Sequence, residues 1–135
     1  MKKLFFGIIT LLLSFLMVGC RETVPEHTLV FIEGKTLTVS FNDQTLELVG
    51  VFCDYTNSSD ETCLPCDAIN VNAYQNGIEL TVMVFTGQET EGAVQCDTGV
   101  QSGTTARVVW LFEKQDDSTV SLEFTDGQKI SFDLT

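Results

Sequence analysis

The sequence predicts an all-β domain of antiparallel strands, closed as a sandwich or barrel, and three observations carry that expectation. Short Val-, Phe-, Thr- and Leu-rich segments recur from Leu29 onward without a helical period. Turn signals separate them: Glu33-Gly34-Lys35, Asn42-Asp43, Asn57-Ser58-Ser59-Asp60, Asn76-Gly77, Asp116-Asp117-Ser118 and Asp126-Gly127. At two of these turns the strand register can also be tested residue against residue. Many short strands at this spacing argue for an antiparallel all-β architecture.

The strands fall near residues 29–33, 36–41, 45–56, 68–75, 78–85, 106–114, 119–125 and 128–134. Asn76-Gly77 suits a two-residue type I′ loop, because both residues tolerate positive φ. That loop pairs Gln75 with Ile78, Ala73 with Leu80, Val71 with Val82 and Ile69 with Val84. Apolar then faces apolar from Ala73 outward, while Asn70, Asn72 and Tyr74 share the other face with Met83, Thr81 and Glu79. Asp126-Gly127 fails the same test as a two-residue loop, since Phe124 would face Lys129 and Leu122 would face Ser131. A three-residue loop, Thr125-Asp126-Gly127 with Gly127 left-handed in a bulge, pairs Leu122 with Ile130 and Val120 with Phe132. The register therefore selects the bulged form. Trp110, inside Val108-Val109-Trp110-Leu111-Phe112, reads as core of a central buried strand rather than as a ligand-stacking surface.

The first twenty residues address location. Lys2 and Lys3 form a basic n-region, and Leu4 to Val18 carries no charge. The run suits a signal-peptide core and falls short of the ~20 residues of a membrane span. It ends in Met17-Val18-Gly19-Cys20, which resembles the bacterial lipobox Leu-[Ala/Ser/Thr/Val]-[Gly/Ala]-Cys, with Met17 in the place of Leu. Lipidation of Cys20 with diacylglycerol, after removal of residues 1–19, is the expectation. Two or three acyl chains at ~0.8 kcal/mol per buried methylene anchor a domain stably. Residues 20–28 then form the lipidated Cys and tether, and residues 29–135 form one domain, because the length suits one and not two.

Charge narrows the partners. The chain has seven basic and nineteen acidic residues. Loss of Lys2 and Lys3 leaves five against nineteen, a net charge of −14. Such a body is repelled by phosphate backbones and anionic headgroups, so no nucleic-acid partner is expected. The acidity reads as a solubilising surface. His27, the sole histidine, falls on the expected tether, where a general base or a His-containing zinc site does not belong.

Cys53, Cys63, Cys66 and Cys96 remain after lipidation, an even number in an exported domain, so two disulfides are expected. Three connectivities are open. Pairing 53–63 with 66–96, or 53–66 with 63–96, closes longer loops worth roughly 3–4 kcal/mol for the larger ones. Pairing 63–66 closes a minimal loop worth ~2 kcal/mol and leaves Cys53 with Cys96. The expectation is that Cys63 and Cys66 reach to Cys53 and Cys96. A redox role for Cys63-Leu64-Pro65-Cys66 would need a lowered thiol pKa, obtained in thioredoxin-like sites at a helix N-terminus. Here the hairpin register makes the following segment a strand, and Glu61 and Asp67 oppose thiolate formation. Four-cysteine zinc lacks a second Cys-x-x-Cys. Asp54, Asp60, Glu61, Asp67 and Asp97 lack the spacing of a calcium loop and read as solvated carboxylates, with no metal expected.

Two stretches carry a family resemblance. Asp54-Tyr55-Thr56-Asn57-Ser58-Ser59-Asp60-Glu61-Thr62 and Ala73-Tyr74-Gln75-Asn76-Gly77-Ile78-Glu79-Leu80 resemble, in order, the motifs "Tyr-Thr-Asn-x-Ser-x-Glu-Thr" and "Tyr-Gln-Asn-Gly-x-Glu-Leu" of Gram-positive lipoprotein domains of unknown function. The chain departs from them at Ser102-Gly103, where Pro-Gly is usual. The resemblance implies an antiparallel immunoglobulin-like β-sandwich of about seven or eight strands over roughly residues 28–134. It supplies no catalytic residue, and the four cysteines are not a general feature of that group.

The functional expectation is a lipid-anchored, non-enzymatic binding or interaction module on the outer face of the cell membrane, meeting a protein partner in the envelope and needing no cofactor. The loops at 57–67 and 86–104, long and polar, are the expected contact face. The alternative is an extracytoplasmic thiol–disulfide redox protein using Cys63 and Cys66. An inhibitor or immunity-type partner of an exported enzyme is a third reading.

Overall fold

Asn42 and Asp43 both adopt left-handed backbone, with φ of 49° and 61°, and fold the chain into a long hairpin of β1 (His27–Phe41) and β2 (Gln44–Asn57). The computed structural model describes residues 26–85 and 89–134. The expected signal peptide (residues 1–19) and Cys20 lie outside them. The hairpin pairs from His27 opposite Asn57 to Phe41 opposite Gln44. The two short strands expected at 29–33 and 36–41 are therefore one, with a bulge between Phe31 and Glu33. Gly34 is not a turn residue. A Cβ there would lie 2.2 Å from Cζ of Phe132, so the glycine makes room for a ring from the opposite sheet. His27 opens β1, so the first described strand starts two residues before the expected boundary at Leu29.

After β2 come a one-turn helix α1 (Pro65–Ala68) and then β3 (Val71–Gln75), β4 (Ile78–Glu79), β5 (Val82–Met83), β6 (Glu89–Thr90), β7 (Ala93–Gln95), β8 (Thr104–Glu113), β9 (Val120–Phe124) and β10 (Lys129–Phe132). The strands form two sheets. One runs β1-β2-β8-β7-β6, with β5 also on β8; the other runs β10-β9-β3-β4. The all-β sandwich is as the sequence predicts, with ten strands among the described residues rather than seven or eight. The additional β6 and β7 fall in the expected 86–104 loop. They are too short to show alternation, and Glu91, at φ 49°, is an unusual residue for the left-handed turn between them. The β7–β8 pair is parallel, against the antiparallel expectation.

Both hairpin registers tested in the sequence hold near their turns. Asn76 and Gly77 have φ of 54° and 77°, and Gln75 faces Ile78. Leu122 faces Ile130 and Val120 faces Phe132, with Gly127 left-handed. The first hairpin, however, does not continue. Leu80 N–H still donates to Ala73 O at 2.8 Å, but Val82 and Met83 then cross to the other sheet and pair with Phe112 and Leu111. The expected Val71–Val82 and Ile69–Val84 pairs do not form. Apolar pairing on one face could not distinguish a partner in the same sheet from one across the sandwich.

The main core lies between the sheets. Val49, Val51, Tyr55, Val108, Trp110 and Phe112 meet Val71, Ala73, Val120 and Leu122. Alternation sends Leu48, Phe52, Val109 and Leu111 to the far face of the six-stranded sheet, where they bury with Leu37 and Ala93. The unbroken apolar run at 108–112 thus belongs to a strand buried on both faces. Trp110, only 2% exposed, is core.

Candidate functional site

The two expected contact loops meet at one end of the sandwich, and Asn57 organises their junction. Its side chain is fully buried, and its Nδ2 donates to Glu61 O (2.7 Å) and Val100 O (2.9 Å). Its Oδ1 accepts from the Ser59 backbone N–H (3.0 Å) and hydroxyl (2.6 Å). Its main-chain carbonyl accepts from Gly103 N–H at 2.7 Å. An amide at this position satisfies both loops at once, which a hydroxyl or carboxylate could not do with donors and acceptors on both sides.

Beyond this clamp, Cys63 and Val100 exchange backbone hydrogen bonds at 3.0 and 2.9 Å. Pro65 occupies the first turn of α1, where a missing N–H costs nothing. Chain direction changes through that turn, so strand β3 starts at Val71 rather than at the expected residue 68. Cys66 lies within α1, and its N–H donates to Cys96 O at 3.0 Å.

The departure of β5 from β3 opens a cleft between the sheets. It has a volume of about 280 Å³ and is lined by Cys66, Ile69, Asn70, Val71, Asn72, Val82, Val84, Cys96 and Trp110. Its walls are the residues that the sequence paired as a continuous hairpin, and Val82 and Val84 remain half-exposed beside it.

The four cysteines are free thiols in this structure, not the two expected disulfides. Cys53 explains part of the difference. It is fully buried in the middle of β2, opposite Phe31 and Val108, in the main core. Burial pushes its thiol up to about 12, helped by Asp54 and opposed by Arg107. Cys63 is elsewhere, at the rim, with its sulfur 3.5 Å from Ser59 Oγ and 3.6 Å from Glu61 O. Neither sulfur of the Cys-x-x-Cys stretch is drawn to Cys53. Cys66 is instead held beside Cys96, its backbone N–H on the Cys96 carbonyl and Cys96 itself 3% exposed. Burial raises the Cys96 thiol, and a charge on Cys66 would raise it further. The sequence had this pair among three connectivities and no means of selecting it.

The carboxylates do not converge. Asp54 binds Arg107 at 2.6 Å, and no group of three or more His, Cys, Asp or Glu side chains suited to a metal occurs among the described residues. Each Lys and Arg among those residues lies against a carboxylate: Lys35 with Glu33 and Glu91, Arg107 with Asp54, Lys114 with Glu47 and Asp117, Lys129 with Glu123. His27 belongs to the fold rather than to a tether. Its Nδ1 lies 2.7 Å from the Tyr55 hydroxyl, with the rings stacked at 5.9 Å. No described helix is long and apolar enough to cross a membrane.

Comparisons with known proteins fit this architecture. Residues 30–126 match the model of a family described as "Domain of unknown function (DUF5067)". A solved structure described as a "putative lipoprotein from Staphylococcus aureus subsp. aureus NCTC 8325" superposes with a TM-score of 0.56 at 13% identity. The match covers 81% of this chain and 84% of that one. At that identity it speaks for a shared fold. A search of curated proteins returned no match.

Proposed function

The chain belongs to the DUF5067 family, and from that premise we propose that it is a lipid-anchored, non-enzymatic binding module on the outer face of the cell membrane. The observation that carries this reading is the join of two features. An apolar leader ends in Val18-Gly19-Cys20, and the domain behind it shares its fold with a protein described as a lipoprotein. Diacylglycerol at Cys20 is the anchor, and no other cofactor enters the reading. An immunoglobulin-like role for the sandwich agrees with its two packed sheets. The contact face is the end of the sandwich where the Asn57 clamp holds the two loops together, because a rigid scaffold there presents polar loop residues. A protein in the envelope is the partner. Nucleic acid fits poorly, since the chain is strongly acidic and the cations among the described residues lie against carboxylates.

The alternative, redox chemistry by Cys63 and Cys66, has less support. The Cys66 backbone is bonded to Cys96, and the Cys63 sulfur lies against Ser59.

Growth of expressing cells with a labelled fatty acid tests the anchor. Label in the membrane-bound chain that Cys20→Ala abolishes is expected; an unlabelled wild-type chain sinks the reading. Photo-cross-linkers placed at Asp60 and at Asp126, both exposed, test the face on intact cells. An adduct from Asp60 and none from Asp126 is expected, and the reverse would move the contact to the β9–β10 turn.

A further inference from the structure

We propose that Cys66 and Cys96 are the site of a single disulfide, formed by exchange with a small-molecule or protein disulfide outside the cytoplasm, while Cys53 and Cys63 stay as thiols. Three observations converge on this pair. The backbone N–H of Cys66 donates to the carbonyl of Cys96 at 3.0 Å, which ties the two residues side by side. A charge on Cys66 would push the Cys96 thiol up, as a near neighbour does. Both line the same cleft, so an incoming disulfide has a route to them.

The unequal exposure of the pair orders the chemistry. Cys66 is half-buried and Cys96 almost wholly so. Ionised Cys66 sulfur attacks the oxidant RSSR, forming a mixed disulfide and releasing one thiolate. Ionised Cys96 sulfur then attacks the Cys66 sulfur and releases the second. The two protons lost by the cysteines end on the two released RSH molecules, and RSSR is reduced by the two electrons the pair gives up. Cys53 cannot compete, being sealed in the core. Cys63 is held at the rim by its exchange with Val100. The bond would lock α1 to the turn after β7 and fix one wall of the cleft.

The geometry, and not the export reading, carries this inference; only the natural oxidant depends on location. The test therefore supplies the oxidant. The full chain is equilibrated with oxidised glutathione, acid-quenched, alkylated in denaturant and cleaved at acidic residues. Because Cys63 and Cys66 share the Thr62–Asp67 peptide, fragmentation assigns each sulfur. The expected product links Cys66 to Cys96, with alkyl groups on Cys53 and Cys63, and survives in Cys63→Ser. Reduction is expected to lower the melting temperature by roughly 10 °C, because the bond closes a long loop. Alkylation of all four thiols, or a link from Cys66 to Cys63 or Cys53, overturns the proposal. A negative outcome leaves the lipid-anchor reading standing, and loss of fatty-acid label would leave this one standing.

Discussion

Gln75 holds the turn around Asp116 from forty residues away. Its side chain is fully buried in β3, with Nε2 donating to Asp116 O (2.9 Å) and Ser118 O (3.0 Å). Its Oε1 accepts from Gln115 N–H at 2.9 Å and, more weakly, from Asp116 N–H at 3.4 Å. Next door, Asn76 Nδ2 donates to the Asp116 carboxylate at 2.9 Å. This hold ties the β3–β4 turn to the β8–β9 connection, bridging the two sheets. Gln75→Leu keeps the volume but removes all of the bonds made by the Gln75 amide and leaves part-buried main-chain groups of the turn unmatched. A loss of about 2–4 kcal/mol is expected, read as a lower urea midpoint at constant slope. Gln75→Glu is expected to recover little, since it lacks the two donors.

Asn57 performs the same service at the other end of the sandwich. Asn57→Asp removes the donor to Glu61 O and Val100 O and puts a carboxylate where burial is complete. About 2–3 kcal/mol of destabilisation is expected. The sharper readout is local. Alkylation of Cys63 in native buffer should accelerate more than global stability explains, because the loop that holds Cys63 against Val100 is released.

These two amides show how much of the molecule the sequence discloses. The turns at Asn76-Gly77 and Asp126-Gly127 were legible because turn chemistry and strand alternation are local and check one another. The motif residues around Gln75 and Asn57 were visible as patterns, but not as clamps, since the partners that make them clamps, Gln115 to Ser118 for Gln75 and Val100 for Asn57, lie 40 to 43 positions away. The cleft was hidden for a related reason. Val82 and Val84 match Val71 and Ile69 in polarity, so a hairpin and a split between sheets look alike. The Cys66–Cys96 contact needed the direction of α1, a four-residue helix with no apolar period to announce it.

Gly34 and Phe132 bring the edge strands of the two sheets together, and their fit is testable as a pair. The Phe132 ring lies over Gly34 and stacks on Phe31 at 5.7 Å. Gly34→Ala forces the ring aside and is expected to cost about 1–3 kcal/mol. In a Phe132→Leu background the added methyl has room, so the same substitution should cost much less. A double-mutant cycle by chemical denaturation measures the difference. Additive costs would mean that Gly34 is needed for its backbone rather than for the ring.

Cys53 gives the fold an alkaline weakness whose sign follows from burial. An exposed thiol ionises near 9.0, whereas in the core Cys53 is pushed up to about 12. Below pH 9 both the folded and the unfolded chain keep the proton, and the group adds no pH dependence. Above it the unfolded chain releases the proton while the folded chain does not, so stability falls as pH rises until the folded-state value is reached. At pH 11 the loss from this one thiol is on the order of 2 kcal/mol. Cys53→Val fills nearly the same space without an ionisable group. The variant should therefore match the wild type at pH 7 to within about 1 kcal/mol and gain on it steadily between pH 9 and 12. Urea midpoints measured in reductant across that window decide the point. A constant gap between the two proteins would mean that Cys53 reaches solvent and ionises in the folded state.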